Sequence, residues 1–240
     1  MATDVSKPIN ILVINPNSSR SMTEALQPVL SDLLHPALIV GYQTGPEASP
    51  PSINDVTTAV VSAAHTFASL REGQHINGAE DHDAFLVACF SDHPLVGMLR
   101  EHTTKPVLGI LEASIMHSLA LGRPFGVVTT GKYWEKALTE GVRRIFGSAD
   151  LGGAFVGVES TGLNALELHE AEEDVVRAAL REAASRMVAR GARTIITGCA
   201  GMSGMEEALL AGCDGTRVVV VDAVRSGITV LDGLVRAQRR

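Results

Sequence analysis

"ILVINPNSS" (residues 11–19) opens with four apolar residues and then turns polar at Asn15. A short apolar run that stops at Asn-Pro-Asn-Ser-Ser reads as a buried strand feeding a helix-opening loop. The same build recurs at "FGVVTTGKY" (125–133). Downstream of each copy lies a second apolar run that ends in cysteine, "AFLVACF" (84–90) and "TIITGC" (194–199). Asn15 and Thr129 are 114 positions apart, and Cys89 and Cys199 are 110 apart. The chain therefore reads as two copies of one strand–helix unit.

Working outward, further strands are expected at 38–42, 106–111, 153–159 and 217–223, besides 9–15. Helices are expected at 20–34, 53–71, 94–102, 113–121, 132–146, 166–190, 203–211 and 224–238. The helix at 166–190 carries acids early and arginines late, which suits the helix dipole. Strand–helix alternation of this kind predicts parallel sheets. The expected fold is α/β, with two similar Rossmann-like parallel-sheet domains related by a pseudo-twofold axis and the active site in the cleft between them. The expected boundaries are 1–105 plus 218–240 for the N-terminal domain, its C-terminal segment packing back, and 106–217 for the second.

Composition narrows the function. The 240 residues are 45% hydrophobic but only 4% aromatic, a balance that suits helices packed on a parallel sheet. The net charge is −7, and no Lys/Arg run marks a nucleic-acid or membrane face. The N-terminal "MATDVSKPIN" has no apolar core of a signal peptide, and no stretch reaches membrane-span length. Three cysteines are too few for a disulfide framework, so a reducing, cytoplasmic setting is expected.

Ligands of parallel α/β sheets bind at the carboxyl ends of the strands. Cys89 and Cys199 both fall there. If the two halves face each other, the thiols meet across one cleft. Inverting a carbon by proton transfer needs a base on one face and an acid on the other, and a thiolate–thiol pair can exchange those roles. The small residues Gly198, Ala200 and Gly201 would let substrate and backbone N–H groups approach Cys199. The competing reading is that a strand-end cysteine packs as a small hydrophobe; matching places in matching halves favour function. Cys213 follows a helix without a counterpart and reads as structural.

Other motifs carry less. "GCAGMSG" (198–204) followed by Asp222 has the wrong spacing for a dinucleotide fingerprint. "QHINGAEDHD" (74–83) holds His75, Asp81, His82 and Asp83, but no regular spacing orients them on a metal, so a solvated loop is expected. His93 and His117 either steady a thiolate or cap and pack. Glu112 is either a hydrogen-bonding support of the site or a helix-start acid. Of the four lysines only Lys132 falls near a strand mouth, against a pyridoxal-phosphate enzyme, and no Gly-x-Ser-x-Gly elbow occurs.

"LVINPNSS" (12–19), "ACFSDHP" (88–94), "GILEAS" (109–114), "GVVTTG" (126–131), "GCAGM" (198–202) and "VVDAV" (220–224) resemble, in order, the hydantoin racemase branch of the aspartate/glutamate racemase superfamily. The resemblance implies a racemase that uses no cofactor and no metal, acts on a small molecule and forms a homo-oligomer. It implies Cys89 and Cys199 as the acid/base pair. It also implies substrate contacts from Asn15, Ser18, Phe90 and Ser91, from the Thr129-Thr130-Gly131 turn, and from Gly198, Ala200 and Gly201. Amino-acid racemases of the superfamily follow each cysteine with polar, carboxylate-holding residues. Here Phe90 and Ala200-Gly201 stand in those places, and Ser91 replaces a usual glycine. A 5-monosubstituted hydantoin such as allantoin is therefore the expected substrate. Other superfamily reactions (amino-acid racemisation, diacid cis–trans isomerisation, decarboxylation) and a non-catalytic sensor are the alternatives.

Overall fold

In the computed structural model, which describes residues 7–72, 75–76 and 80–239, two four-stranded parallel sheets carry the chain. The first sheet contains β1 (Ile9–Asn15), β2 (Leu38–Thr44), β3 (Ala84–Val87) and β4 (Val107–Gly109), in the order β2-β1-β3-β4. The second contains β5 (Phe125–Thr129), β6 (Phe155–Ser160), β7 (Thr194–Thr197) and β8 (Val219–Val221), in the order β6-β5-β7-β8. Strand for strand, the second sheet repeats the first. All eight expected strands form. The central ones are buried on both faces, and this is why they read as unbroken apolar runs.

Two compact units result. One takes the chain up to Cys89, His93–Ile110 and everything from Gly227 onward; the other takes Phe90–Asp92 and Leu111–Ser226. Two details differ from the boundaries read in the sequence. β4 pairs with β3, so, Phe90–Asp92 aside, the chain passes to the second unit after Ile110, not after 105. β8 pairs with β7, so 218–226 stays with the second unit and the return to the first begins inside the last helix.

The helices are α1 (Arg20–Glu24), α2 (Leu26–Leu30), α3 (Val56–Leu70), α4 (Pro94–Arg100), α5 (Ile110–Ala120), α6 (Tyr133–Phe146), α7 (Glu167–Glu170), α8 (Glu173–Ala189), α9 (Glu206–Leu210) and α10 (Ala223–Gln238). A two-residue ribbon pairs Arg71–Glu72 with His75–Ile76. In the first unit α3 turns Ala63, Phe67 and Leu70 onto Leu12, Ile14, Phe85 and Val87. In the second, α8 turns Val176, Leu180, Ala184 and Met187 onto Val128 and Ile195. Each of the larger side chains among these contributes about 1.5–3 kcal/mol on full burial.

The helix expected at 166–190 is broken. Ala171 is extended, with ψ 160°, and a new helix starts at Glu173. Five acids lie between Glu167 and Asp174. A continuous helix would stack several of them as like-charge neighbours. The break instead places Glu173 and Asp174 in a fresh first turn, where the dipole favours them.

The polar loop ahead of β3 is only partly among the described residues; 74 and 77–79 lie outside them. Asp83 at its end accepts from Asn10 N at 2.9 Å and from the Arg239 guanidinium at 3.0 Å. Arg239 also donates to Pro8 O at 3.1 Å, fastening the end of the chain to the start of β1. Among the described residues no group of three or more His, Cys, Asp or Glu side chains is placed to hold a metal, and no helix is long and apolar enough to cross a membrane.

Glu159 on β6 ties α8 to the second sheet, pairing with Arg186 at 2.8 Å and Arg190 at 3.0 Å. Beneath Arg190 sits Gly157, at φ 120°, where a Cβ would come within 2.2 Å of the guanidinium. Burial raises the Glu159 pKa, but the two arginines outweigh it and hold the carboxyl below its ordinary 4.5. A depressed carboxylate stabilises the fold above its unfolded pKa, and that stability is lost as pH falls through the native value. Urea titrations should therefore show Glu159→Gln less stable than the parent at neutral pH, with the gap closing below about pH 4.5. An unchanged gap at low pH would show that the pair contributes nothing to acid unfolding.

Candidate active site

The first strand mouth is built by β1 and β3. The last rung between them is Ala88 N to Ile14 O, 2.8 Å, and the next residue is Cys89. Cys89 is half-buried and packs against the first core. Asn15, at the end of β1, is 3% exposed. Its Nδ2 donates to Asn17 Oδ1 (2.8 Å), Thr23 Oγ1 (3.0 Å) and Ser19 O (3.1 Å), and its Oδ1 accepts from Asn17 N (3.3 Å). These bonds hold the loop that presents Ser18, whose own N–H reaches Pro50 O at 3.1 Å. Asn15 thus shapes its turn from within.

Phe90 and Ser91, which follow Cys89, are both buried. His93 resolves toward the cap reading. Its Nδ1 accepts from Leu95 N at 3.3 Å, and its Nε2 lies 3.0 Å from Ser62 Oγ. Ser62 Oγ donates to Ala59 O at 2.9 Å, so the imidazole hydrogen sits on Nε2. His93 therefore starts α4 and pins it to α3. Glu112 lies in the first turn of α5, a place that suits an acid.

The second strand mouth repeats the first. Gly198 N bonds Val128 O at 2.7 Å, and the next residue is Cys199. Cys199 opens a 3₁₀ turn over Ala200–Met202, and its Sγ accepts from Gly201 N at 3.4 Å. The residue is partly exposed, yet its sulfur is densely surrounded: burial pushes the thiol pKa up, against the smaller downward pull of the Gly201 N–H. Thr129 Oγ1 donates to Gly198 O at 2.9 Å, so the Thr129 side chain braces β7. The backbone carbonyls of Thr129 and Thr130 accept from Thr161 N and Gly162 N, at 2.8 and 3.1 Å. Gly131 precedes α6 and accepts from Trp134 N at 3.0 Å.

Gly198 has a reason that the sequence did not show. A Cβ there would lie 2.5 Å from Val127 Cγ1 and 2.6 Å from Val128 O, so the glycine serves strand packing and not only access to the thiol. Cys213 is buried in the second core, with Sγ 3.3 Å from Leu209 O. His117 Nδ1 meets Ser226 Oγ at 3.0 Å, and Ser226 Oγ donates to Asp222 O at 2.7 Å. Asp222, given no role of its own in the sequence reading, is a buried carboxyl directly after β8. The sign that could have found it is an acid set between four valines and a helix.

Comparison with known proteins places these features in a family context. The family model described as Asp/Glu/Hydantoin racemase matches residues 11–231. An uncharacterized protein of Schizosaccharomyces pombe is 42% identical over 95% of this chain and 92% of its own length. A hydantoin racemase of Rhizobium meliloti is 31% identical over 95% of this chain and 90% of its own. Among solved structures, an allantoin racemase from Klebsiella pneumoniae superposes with TM-score 0.79 at 25% identity, covering 95% of this chain and 88% of that one.

Gly198→Ala should lower stability by about 1–3 kcal/mol through overpacking against β5, read as a fall of several degrees in the melting temperature. Gly131→Ala is the control, since a Cβ there meets nothing within 4 Å. Equal melting temperatures for the two variants would remove the packing argument for Gly198.

Proposed function

The chain belongs to the Asp/Glu/Hydantoin racemase family, and from that premise we propose that it racemises a 5-monosubstituted hydantoin, allantoin among the candidates, with Cys89 and Cys199 as acid and base on opposite faces of the ring. The observation that carries the proposal is the matched pair of thiols. Each follows the last rung of the third strand in one of two copies of the same sheet.

The C5–H bond is acidified by the adjacent ring carbonyl. A thiolate on one face takes the C5 proton, and the bonding electron pair moves into that carbonyl as an enolate. The thiol on the other face then returns a proton to C5, inverting the centre and leaving the two cysteines with exchanged protonation. Burial pushes the Cys199 thiol pKa up, which suits that cysteine to the donor role in the resting enzyme. When Cys199 takes its turn as thiolate, Gly201 N–H stabilises it. Each positioned acid or base contributes about 10²–10⁴-fold. A tetrahedral carbon between the two sulfurs requires them about 6–9 Å apart in the substrate-bound enzyme. Backbone N–H groups at the strand mouths are the donors available to the enolate oxygen.

The substrate class rests on the residues next to each cysteine. Phe90 and the Ala200-Gly201 pair offer no side chain to hold a carboxylate, which favours a neutral ring over a free amino acid. The similar proteins named hydantoin racemase and allantoin racemase point the same way.

Two measurements test this reading. Polarimetry should show loss of rotation from either pure enantiomer of allantoin or a 5-alkyl hydantoin, far faster than from aspartate or glutamate; comparable turnover of aspartate would overturn the substrate class. In heavy water, Cys89→Ser should exchange the C5 hydrogen of one enantiomer without inversion, and Cys199→Ser that of the other. The double variant should do neither. A single variant that racemises at the parent rate would make its cysteine structural.

A further inference from the structure

Asp222 is 6% exposed and stands directly between β8 and α10. Its Oδ1 accepts from Arg225 N at 2.8 Å, and its backbone carbonyl accepts from Ser226 N at 3.0 Å. The following residue is fastened to β7, because Ala223 N donates to Thr197 Oγ1 at 3.1 Å, two residues before Cys199. The other carboxyl oxygen, Oδ2, is buried without a hydrogen-bond partner, and so is Ser203 Oγ. These two are neighbours: the Ser203 hydroxyl is close enough to favour the charged form of the Asp222 carboxyl. Burial is the larger influence and raises the Asp222 pKa, with the Arg225 N–H and Ser203 opposing it and Glu206 adding to it.

Ser203 closes the turn that Cys199 opens. Met202 N bonds Cys199 O at 3.0 Å, and Ser203 N bonds Ala200 O at 3.2 Å. The same turn aims Gly201 N–H at the Cys199 sulfur. A turn of the Ser203 side chain toward Asp222 would pair the two unpaired atoms and join the end of the turn to the start of a 16-residue helix. We propose that Asp222 is a positioning residue: through Ser203 its carboxyl fixes the Cys199–Ser203 turn, and with it the N–H that stabilises the Cys199 thiolate. The inference rests on the reading of Cys199 as acid and base, and it adds the device that keeps a buried thiol able to ionise. The ionisable neighbours come from three helices. β7 and the residues from Ala200 to Met205 hold none, α7, packed against the turn, carries Glu167 and Glu170, α9 brings Glu206, and α10 begins Ala-Val-Arg225.

The test uses the full chain with Cys89 and Cys213 changed to serine, so that Cys199 is the sole thiol. The rate of iodoacetamide alkylation is followed against pH, a readout independent of turnover. Ser203→Ala and Asp222→Ala should each move the midpoint up by about 0.5–1 pH unit, slowing alkylation near neutrality about three- to tenfold. Asp222→Asn keeps an acceptor for Arg225 N–H and a partner for the hydroxyl, so it should stay within about twofold of the parent rate. Circular dichroism checks each fold, and Ser203→Ala, the milder change, decides alone if Asp222→Ala does not fold. Parent-like curves for Ser203→Ala and Asp222→Ala would overturn the proposal, as would Asp222→Asn shifting as far as Asp222→Ala. That failure is separable from a failure of the catalytic reading, which would show instead as full racemisation by Cys199→Ser.

Discussion

The last rung of the parallel ladder fixes where each thiol emerges. Ala88 N reaches Ile14 O in the first sheet, and Gly198 N reaches Val128 O in the second. In both cases the cysteine is the next residue. A strand alternates its side chains with period two, so a slip of one residue would carry the thiol to the opposite face. Register is held on both sides, since β3 and β7 are each flanked by two parallel partners. The position of the sulfur is thus a property of the backbone, and side-chain packing only refines it.

Small residues at the rung are required by the same geometry. Gly198 lies so close to β5 that any side chain would strike Val127 and Val128 O. The counterpart, Ala88, is buried with a single methyl. The polar side chains around the two mouths hold the loops in place: Asn15 knots residues 15–23, Thr129 holds Gly198 O, and His93 locks α4 to α3. Loops held by such bonds suit a racemase, because small displacements of an acid or base cost large factors in rate.

The thiol chemistry is a balance between burial and one N–H donor. Burial makes the Cys199 thiolate costly, and Gly201 N–H recovers part of that cost. In the proposed mechanism Cys199 acts as acid in one direction and base in the other, a double role served by neither extreme. Apart from Phe90–Asp92, the chain changes unit at matching steps of the repeat, within the helix that follows the fourth strand of each sheet. Neither unit is a contiguous piece of sequence.

Much of this was legible in the amino-acid order alone. The eight strands read clearly because central parallel strands are apolar on both faces, and the repeat read clearly because its two offsets, 114 and 110, nearly agree. The cysteines stood out as the residues just past two such runs. What the sequence could not decide is non-local. The pairing of β8 with β7, and hence the unit to which 218–226 belongs, depends on hydrogen bonds between distant segments. The break at Ala171 depends on like charges that favour a fresh helix start over a continuous turn. The need for glycine at 198 comes from a strand 70 positions earlier. The resemblance implies Asn15 as a substrate contact, and its second part as a loop brace emerges only when Thr23 folds back beside it. Local periodicity is written along the chain; which buried polar atoms find partners is decided only when distant segments meet, because a hydrogen bond depends on distance and angle in space and not on spacing in sequence.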